Sequence, residues 1–196
     1  MNFHIQVPNL PYDVKQLIDL AAVVPWYGLP NQTLSDGLVP IEMIPDSICE
    51  FFGGRQSFCS AGFIRGDAHF EIAAHEDRDL LENISALGEA WHSAIGSWPT
   101  SYMEWLVKTS NRLCALSIPV VGEFDRVVTT LIPTDPNLAI ETFTLDPYPV
   151  LFQTNWGVKH KAKSTSDHER LMFQVSFGDN NDFNTIKHKI LATRPT

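Results

Sequence analysis

From Leu113 to Phe177 the chain breaks into short segments of strand character, and this run constrains the fold more than any other feature. Segments 113–121, 126–132, 139–145, 150–154, 158–162 and 171–177 are rich in Val, Ile, Leu, Phe and Thr, the residues that fit a pleated, half-buried surface. Gly122-Glu123, Thr134-Asp135-Pro136 and Asp146-Pro147 supply turn signals between them. Short strands with turns this close predict a sandwich or a barrel.

The first half of the chain adds helices to that β core. Residues 3–7 alternate and predict a short strand. Pro11 to Val24 predicts a helix, with Val14, Leu17, Ile18 and Ala21 at helical spacing. Residues 25–60 are interrupted by Pro25, Pro30, Pro40, Pro45, Gly53 and Gly54, which predicts loops, turns and short strands. His69 to Ala74 alternates polar and apolar, which predicts a half-buried strand delivering His75 at its end. The period then changes. Leu80, Ile84, Leu87, Trp91 and Ile95 form one face of an amphipathic helix, with Asp79 as N-cap and Glu82 at the third helical position. A second short helix is expected over Thr100–Val107.

Composition bounds what the chain does. At 196 residues, with 44% hydrophobic and 19% charged residues, it is expected to fold as one domain, 1–196. A net charge of −9 argues against extensive nucleic-acid binding. Cys49, Cys59 and Cys114 are odd in number and have no CxxC spacing, so a reducing, cytoplasmic location is expected. No signal pattern opens the chain, and no run is long and apolar enough for a membrane span.

The chemistry is concentrated in four residues. His75-Glu76-Asp77 is an HxD pair, His160 lies far downstream, and Arg170 follows ten residues later. Two imidazoles and one carboxylate can occupy one face of an iron ion and leave other positions open. A tight antiparallel hairpin would bring His160 and Arg170 to one mouth of a barrel, where a guanidinium can grip a carboxylate through two hydrogen bonds.

Around these residues the chain resembles the Fe(II)/2-oxoglutarate-dependent dioxygenases, in particular the small bacterial and phage-type, aspartyl/asparaginyl hydroxylase-like members. Phe63 to Asp77, FIRGDAHFEIAAHED, is similar to the strand that ends in the metal-binding HxD. Leu113 to Val121, LCALSIPVV, is similar to the strand after it. Pro149 to Phe177 resembles the family's closing hairpin, with the distal His on one strand and the oxoglutarate-binding Arg on the next. The resemblance implies a mainly β fold, a double-stranded β-helix of jelly-roll or cupin type with peripheral helices. It also implies Fe(II) held by His75, Asp77 and His160, 2-oxoglutarate held by Arg170, and hydroxylation of a C–H bond in a small-molecule or peptide substrate. In compact relatives the HxD sits just before the next core strand, whereas about 35 residues separate Asp77 from Leu113 here. Residues 79–111 are therefore expected to be a helical insertion over or beside the barrel mouth. Its apolar stripe needs the barrel exterior or a second subunit, so a homodimer is an expectation.

Each residue also has a plainer reading. A single strand His is more often packed or exposed than a ligand. His69-x-Glu71 repeats the spacing earlier in the same stretch, and His168 lies on an expected hairpin tip. Arg112 opens a core strand, where it pairs with an acid at the rim or caps the edge. Thr154, Asn155 and Trp156 line the pocket or shape a turn. Ser176 shares the strand parity of Arg170 and is a candidate second group for the oxoglutarate carboxylate. Two other functional classes stay open at this point: a non-catalytic β-barrel module, and a cupin-type metalloenzyme that does not use oxoglutarate.

Overall fold

In a computed structural model, residues 2–28, 33–79, 99–178 and 181–193 are described. Within them the chain runs β1 (His4–Gln6), α1 (Val14–Ala21), β2 (Trp26–Gly28), β3 (Leu34–Val39), α2 (Asp46–Phe51), β4 (Ser60–Gly66) and β5 (Glu71–His75). It continues through α3 (Thr100–Ser110), β6 (Cys114–Val121), β7 (Val127–Pro133), β8 (Glu141–Phe143), β9 (Val150–Gln153), β10 (Val158–Ser164), β11 (Arg170–Phe177) and α4 (Phe183–Ala192). The strands form two antiparallel sheets: seven strands in the order β1-β9-β6-β11-β4-β3-β2, and four in the order β5-β10-β7-β8. This is the expected double-stranded β-helix.

Side-chain parity builds both layers. Along β11, Leu171, Phe173, Val175 and Phe177 point to the outer face of the large sheet, since successive strand residues alternate. There Phe173, Val175 and Phe177 join Leu17 and Leu20 of α1, Ile48 of α2, and Phe183, Ile186 and Ile190 of α4 in one buried core. Helix α1 is shorter than the expected 11–24 and starts at Val14 because Asp13 caps it, its carboxylate accepting from the backbone N–H of Lys15 and Gln16. A second core lies between the sheets: Ala115, Leu131, Phe143, Val150, Phe152, Val158 and Met172. A third small cluster, Phe70, Val127 and Ala162, lies beside Leu34 and Ile72.

Two expectations are corrected. Residues 63–77 are not one strand but the two arms β4 and β5, which belong to different sheets. The turn between them holds His69 in the left-handed region (φ 55°), so the strand begins at Glu71. Strands β10 and β11 do not pair with each other either: β10 lies between β5 and β7, and β11 between β4 and β6. The connection at 165–169 crosses from one sheet to the other. The proline-broken stretch 25–60 also holds the short helix α2.

The expected helix carrying Leu80, Ile84, Leu87, Trp91 and Ile95 lies outside the described residues. The described end of that segment, α3, is pinned to the large sheet. Trp105 donates its indole N–H to the carbonyl of Ala61 (2.6 Å), and the hydroxyls of Thr109 and Ser60 lie 2.9 Å apart. Trp105 lies so close over Gly62 that a Cβ there would sit 2.7 Å from the ring.

Candidate metal centre

Strand pairing brings the three expected ligands together. His75 is the last residue of β5 and stands opposite His160 of β10 in register. Their rings lie 4.4 Å apart between centroids. Asp77, two residues past the strand end, is tied back by its backbone N–H to the carbonyl of Thr154 (3.2 Å). Its Oδ1 lies 3.7 Å from His75 Nε2 and 3.5 Å from His160 Nε2. One ligand atom from each residue falls within 4.8 Å of the others.

The donors suit a divalent transition metal. His75 Nδ1 hydrogen-bonds the carbonyl of Ala73 (2.9 Å). As a donor there it leaves the lone pair on Nε2, facing Asp77; a metal-binding His is commonly oriented in this way. Burial pushes the His160 imidazole down to about 4, against the opposing pull of Asp77, so it is neutral at physiological pH. Asp77 is 1% exposed. Burial alone would raise its carboxyl, but the Arg112 guanidinium and His160 reverse that and hold it below the usual carboxylate range. It is therefore ionised. Arg112 Nε donates to Asp77 Oδ2 at 2.5 Å, so the acid that Arg112 pairs with is the buried candidate ligand.

Arg170 is a buried cation with no anion among the described residues. It is 6% exposed, its guanidinium lies 4.0 Å above the Phe70 ring, and its Nε has no hydrogen-bond partner there. Burial pushes it down to about 10, which leaves it charged at neutral pH. Two glycines make room for it. A Cβ on Gly66 would lie 3.1 Å from Arg170 Nε, and one on Gly122 (φ +125°) 2.9 Å from Arg170 Cβ. Isolated buried charge is costly without a partner, so the position calls for an anion.

The other candidates fall elsewhere. Ser176 lies against Arg112 Nη1 (3.2 Å). It stands six residues from Arg170, roughly 20 Å along an extended strand, too far to share one carboxylate. His69 pairs with Asp167 at 2.9 Å and Glu71 with Lys163 at 3.2 Å, both on the surface. His168 is exposed, and His92 lies outside the described residues. Asn155 serves the chain itself: Nδ2 donates to the carbonyls of Ser110 (2.9 Å) and Arg112 (2.6 Å), and Oδ1 accepts from the N–H of Arg78 (3.0 Å). Trp156 is 71% exposed in the left-handed region. Sequence reasoning missed Gln174 and Asp36. Gln174 was within reach, because it shares the inward parity of Arg170 and Ser176 and a buried polar side chain there needs partners.

No protein-family model matches the chain, and no curated protein does. Solved structures do. An oxidoreductase of the 2OG-Fe(II) oxygenase family from Burkholderia pseudomallei aligns over 93% of this chain and 87% of its own, with a TM-score of 0.57 and 12% identity. The non-heme α-ketoglutarate-dependent epimerase SnoN from nogalamycin biosynthesis aligns over 91% and 78%, with a TM-score of 0.53 and 12% identity. A Pseudomonas putida prolyl-4-hydroxylase aligns over 92% and 95%, with a TM-score of 0.52 and 10% identity. The chain thus has the jelly-roll fold of the Fe(II)/2-oxoglutarate oxygenases.

Proposed function

We propose that this protein is an Fe(II)- and 2-oxoglutarate-dependent oxygenase that hydroxylates a C–H bond of a small-molecule or peptide substrate in the cytoplasm. One observation carries the reading: a His-Asp-His cluster and a buried guanidinium with no anion among the described residues lie within the same β-helix. His75, Asp77 and His160 would hold the iron, and Arg170 the far carboxylate of the co-substrate. Bound iron with a keto acid supplies the oxidising chemistry, which no side chain of this protein has.

The chain's own part is to bind, orient and exclude water. His160 is neutral and ready to ligate without losing a proton. Asp77 is already ionised. Arg170, fixed between Gly66, Gly122 and Phe70, offers a planar fork to a carboxylate. Those that bind the metal come from the small sheet and the loop after β5, while Arg170 comes from the large sheet. The dianion would therefore span the interior.

The test is anaerobic titration of the apoprotein with Fe(II), then with 2-oxoglutarate, followed by succinate formation under air across amino acids, peptides and nucleosides. Stoichiometric iron binding and substrate-stimulated succinate are expected. Iron bound without any oxoglutarate effect would point to a cupin-type enzyme with another co-substrate. Absence of iron binding would leave a non-catalytic barrel.

A further inference from the structure

Asp77 is asymmetric. Its Oδ1 faces both imidazoles, at 3.5 and 3.7 Å. Its Oδ2 is occupied by Arg112 Nε at 2.5 Å. The two side chains are 2% and 7% exposed, so neither is set by solvent.

Arg112 is itself clamped. Its Nη1 donates to Gln174 Oε1 and to Ser176 Oγ, both on the inward face of β11. Gln174 is held in turn, its Nε2 donating to Ser117 Oγ on β6 (2.9 Å). The backbone carbonyl of Arg112 accepts from Asn155 Nδ2 (2.6 Å) and Thr154 Oγ1 (3.3 Å). Side chains and backbone from β6, β9–β10 and β11 thus converge to fix one guanidinium against one carboxylate oxygen. A buried pair of this kind is weak evidence of stabilisation for its own sake, because desolvation offsets the attraction. Its geometry points to another purpose.

We infer that Arg112 is a positioning residue that makes Asp77 a one-oxygen ligand, keeping three positions on the metal free. The inference rests on the metal-centre reading above. An octahedral ion bound by two imidazoles and one carboxylate oxygen has three sites left. A keto acid chelating through two atoms uses two, and one remains for a small ligand. If Asp77 swung to bind through both oxygens, that last site would close. With Oδ2 engaged by Arg112, the swing cannot occur without breaking a buried, charge-assisted hydrogen bond.

The test uses nitric oxide as a probe of the last site, read by the EPR signal of the ferrous–nitrosyl adduct under anaerobic conditions. Wild type, Arg112→Lys and Arg112→Met are compared with Fe(II) alone and with Fe(II) plus 2-oxoglutarate. With iron alone, all three should give the signal, because even a two-oxygen Asp77 leaves room. With 2-oxoglutarate present, the signal of Arg112→Met should fall about tenfold or more, the scale of losses when partners of metal ligands are removed. Arg112→Lys, which can still donate to Oδ2, should recover much of it. A merely structural role would weaken both conditions together. If Arg112→Met misfolds or binds no iron, Gln174→Leu removes one anchor of the guanidinium and should give a smaller loss confined to the oxoglutarate condition. A full signal in the ternary complex of whichever of these two variants binds iron overturns the inference. A wild-type protein with no signal from iron alone would sink the metal reading, and this inference with it.

Discussion

Arg170 and Asp36 hold ionisable groups away from bulk water, Arg170 buried and Asp36 half-buried. Arg170 is buried, cationic and unpaired among the described residues. Arg170→Met should therefore act in opposite directions on stability and binding. Without ligands, the variant should be more stable than the parent by roughly 1–3 kcal/mol, since an uncompensated buried charge is replaced by an apolar chain of similar length. Its affinity for 2-oxoglutarate should fall by about 2–5 kcal/mol, the usual loss when one partner of a buried charge pair is truncated. Denaturant melts and oxoglutarate titration of the iron form check both. A variant that loses stability and keeps its affinity would show that Arg170 is a structural cation. Asp36 makes a pH argument. Its carboxyl faces the hydroxyl of Tyr102 (3.1 Å), and burial raises it to about 6. A carboxyl raised on folding contributes stability below its unfolded value of 3.8 and loses that contribution as pH rises to about 6. Asp36→Asn cannot ionise and keeps an acceptor for Tyr102. It should be more stable than the parent at pH 7.5 by on the order of 1 kcal/mol, with the gap closing below about pH 4. Thermal melts across that range decide it; a gap independent of pH would remove Asp36 from the account.

The elements show where sequence patterns carry information and where they stop. Strands β6, β7 and β9 to β11 match the expected segments closely, because each presents alternating or continuous apolar residues bounded by turn residues. Alternation reports which face a residue occupies. It does not report which strand lies alongside, so β10 and β11, adjacent in sequence, were expected to pair and instead lie in separate sheets. The arms β4 and β5 merged for a related reason: the reversal turns on His69, a left-handed non-glycine residue, and the expected single strand runs through the Gly66-Asp67 turn signal before it. His75, Asp77, His160 and Arg170 were visible as residue types at a spacing. The Arg112–Gln174 clamp was not, since its partners meet only once β6 and β11 pair. The turn after β6 supports this layer directly. Gly122 sits at φ +125° with no room for a Cβ beside Arg170. Gly122→Ala should lose about 1–3 kcal/mol from backbone strain and weaken oxoglutarate binding by displacing Arg170. Unchanged affinity and melting temperature would mean the turn adapts freely.

At the scale of the whole molecule, the proposed iron binding would be linked to folding, because the unfolded chain has no preformed site. At a free metal concentration about a hundred times the dissociation constant, Mn(II) as a redox-stable stand-in should stabilise the protein by about 2.7 kcal/mol. Chelation with EDTA should return the melting temperature to the apo value, and His160→Ala should abolish the response. A metal-independent melt in the parent would contradict the centre. The two-sheet construction has a mechanical side as well. The candidate metal donors hang from the four-stranded sheet and its β5 loop, whereas Arg170 is rooted in the seven-stranded one. A dianion gripped at both ends would act as a rivet through the laminate, resisting shear and splay between the layers. Amides in β10 and β11 should then slow their hydrogen exchange together when 2-oxoglutarate joins the metal form. Protection confined to one layer would mean the rivet fastens only at one end.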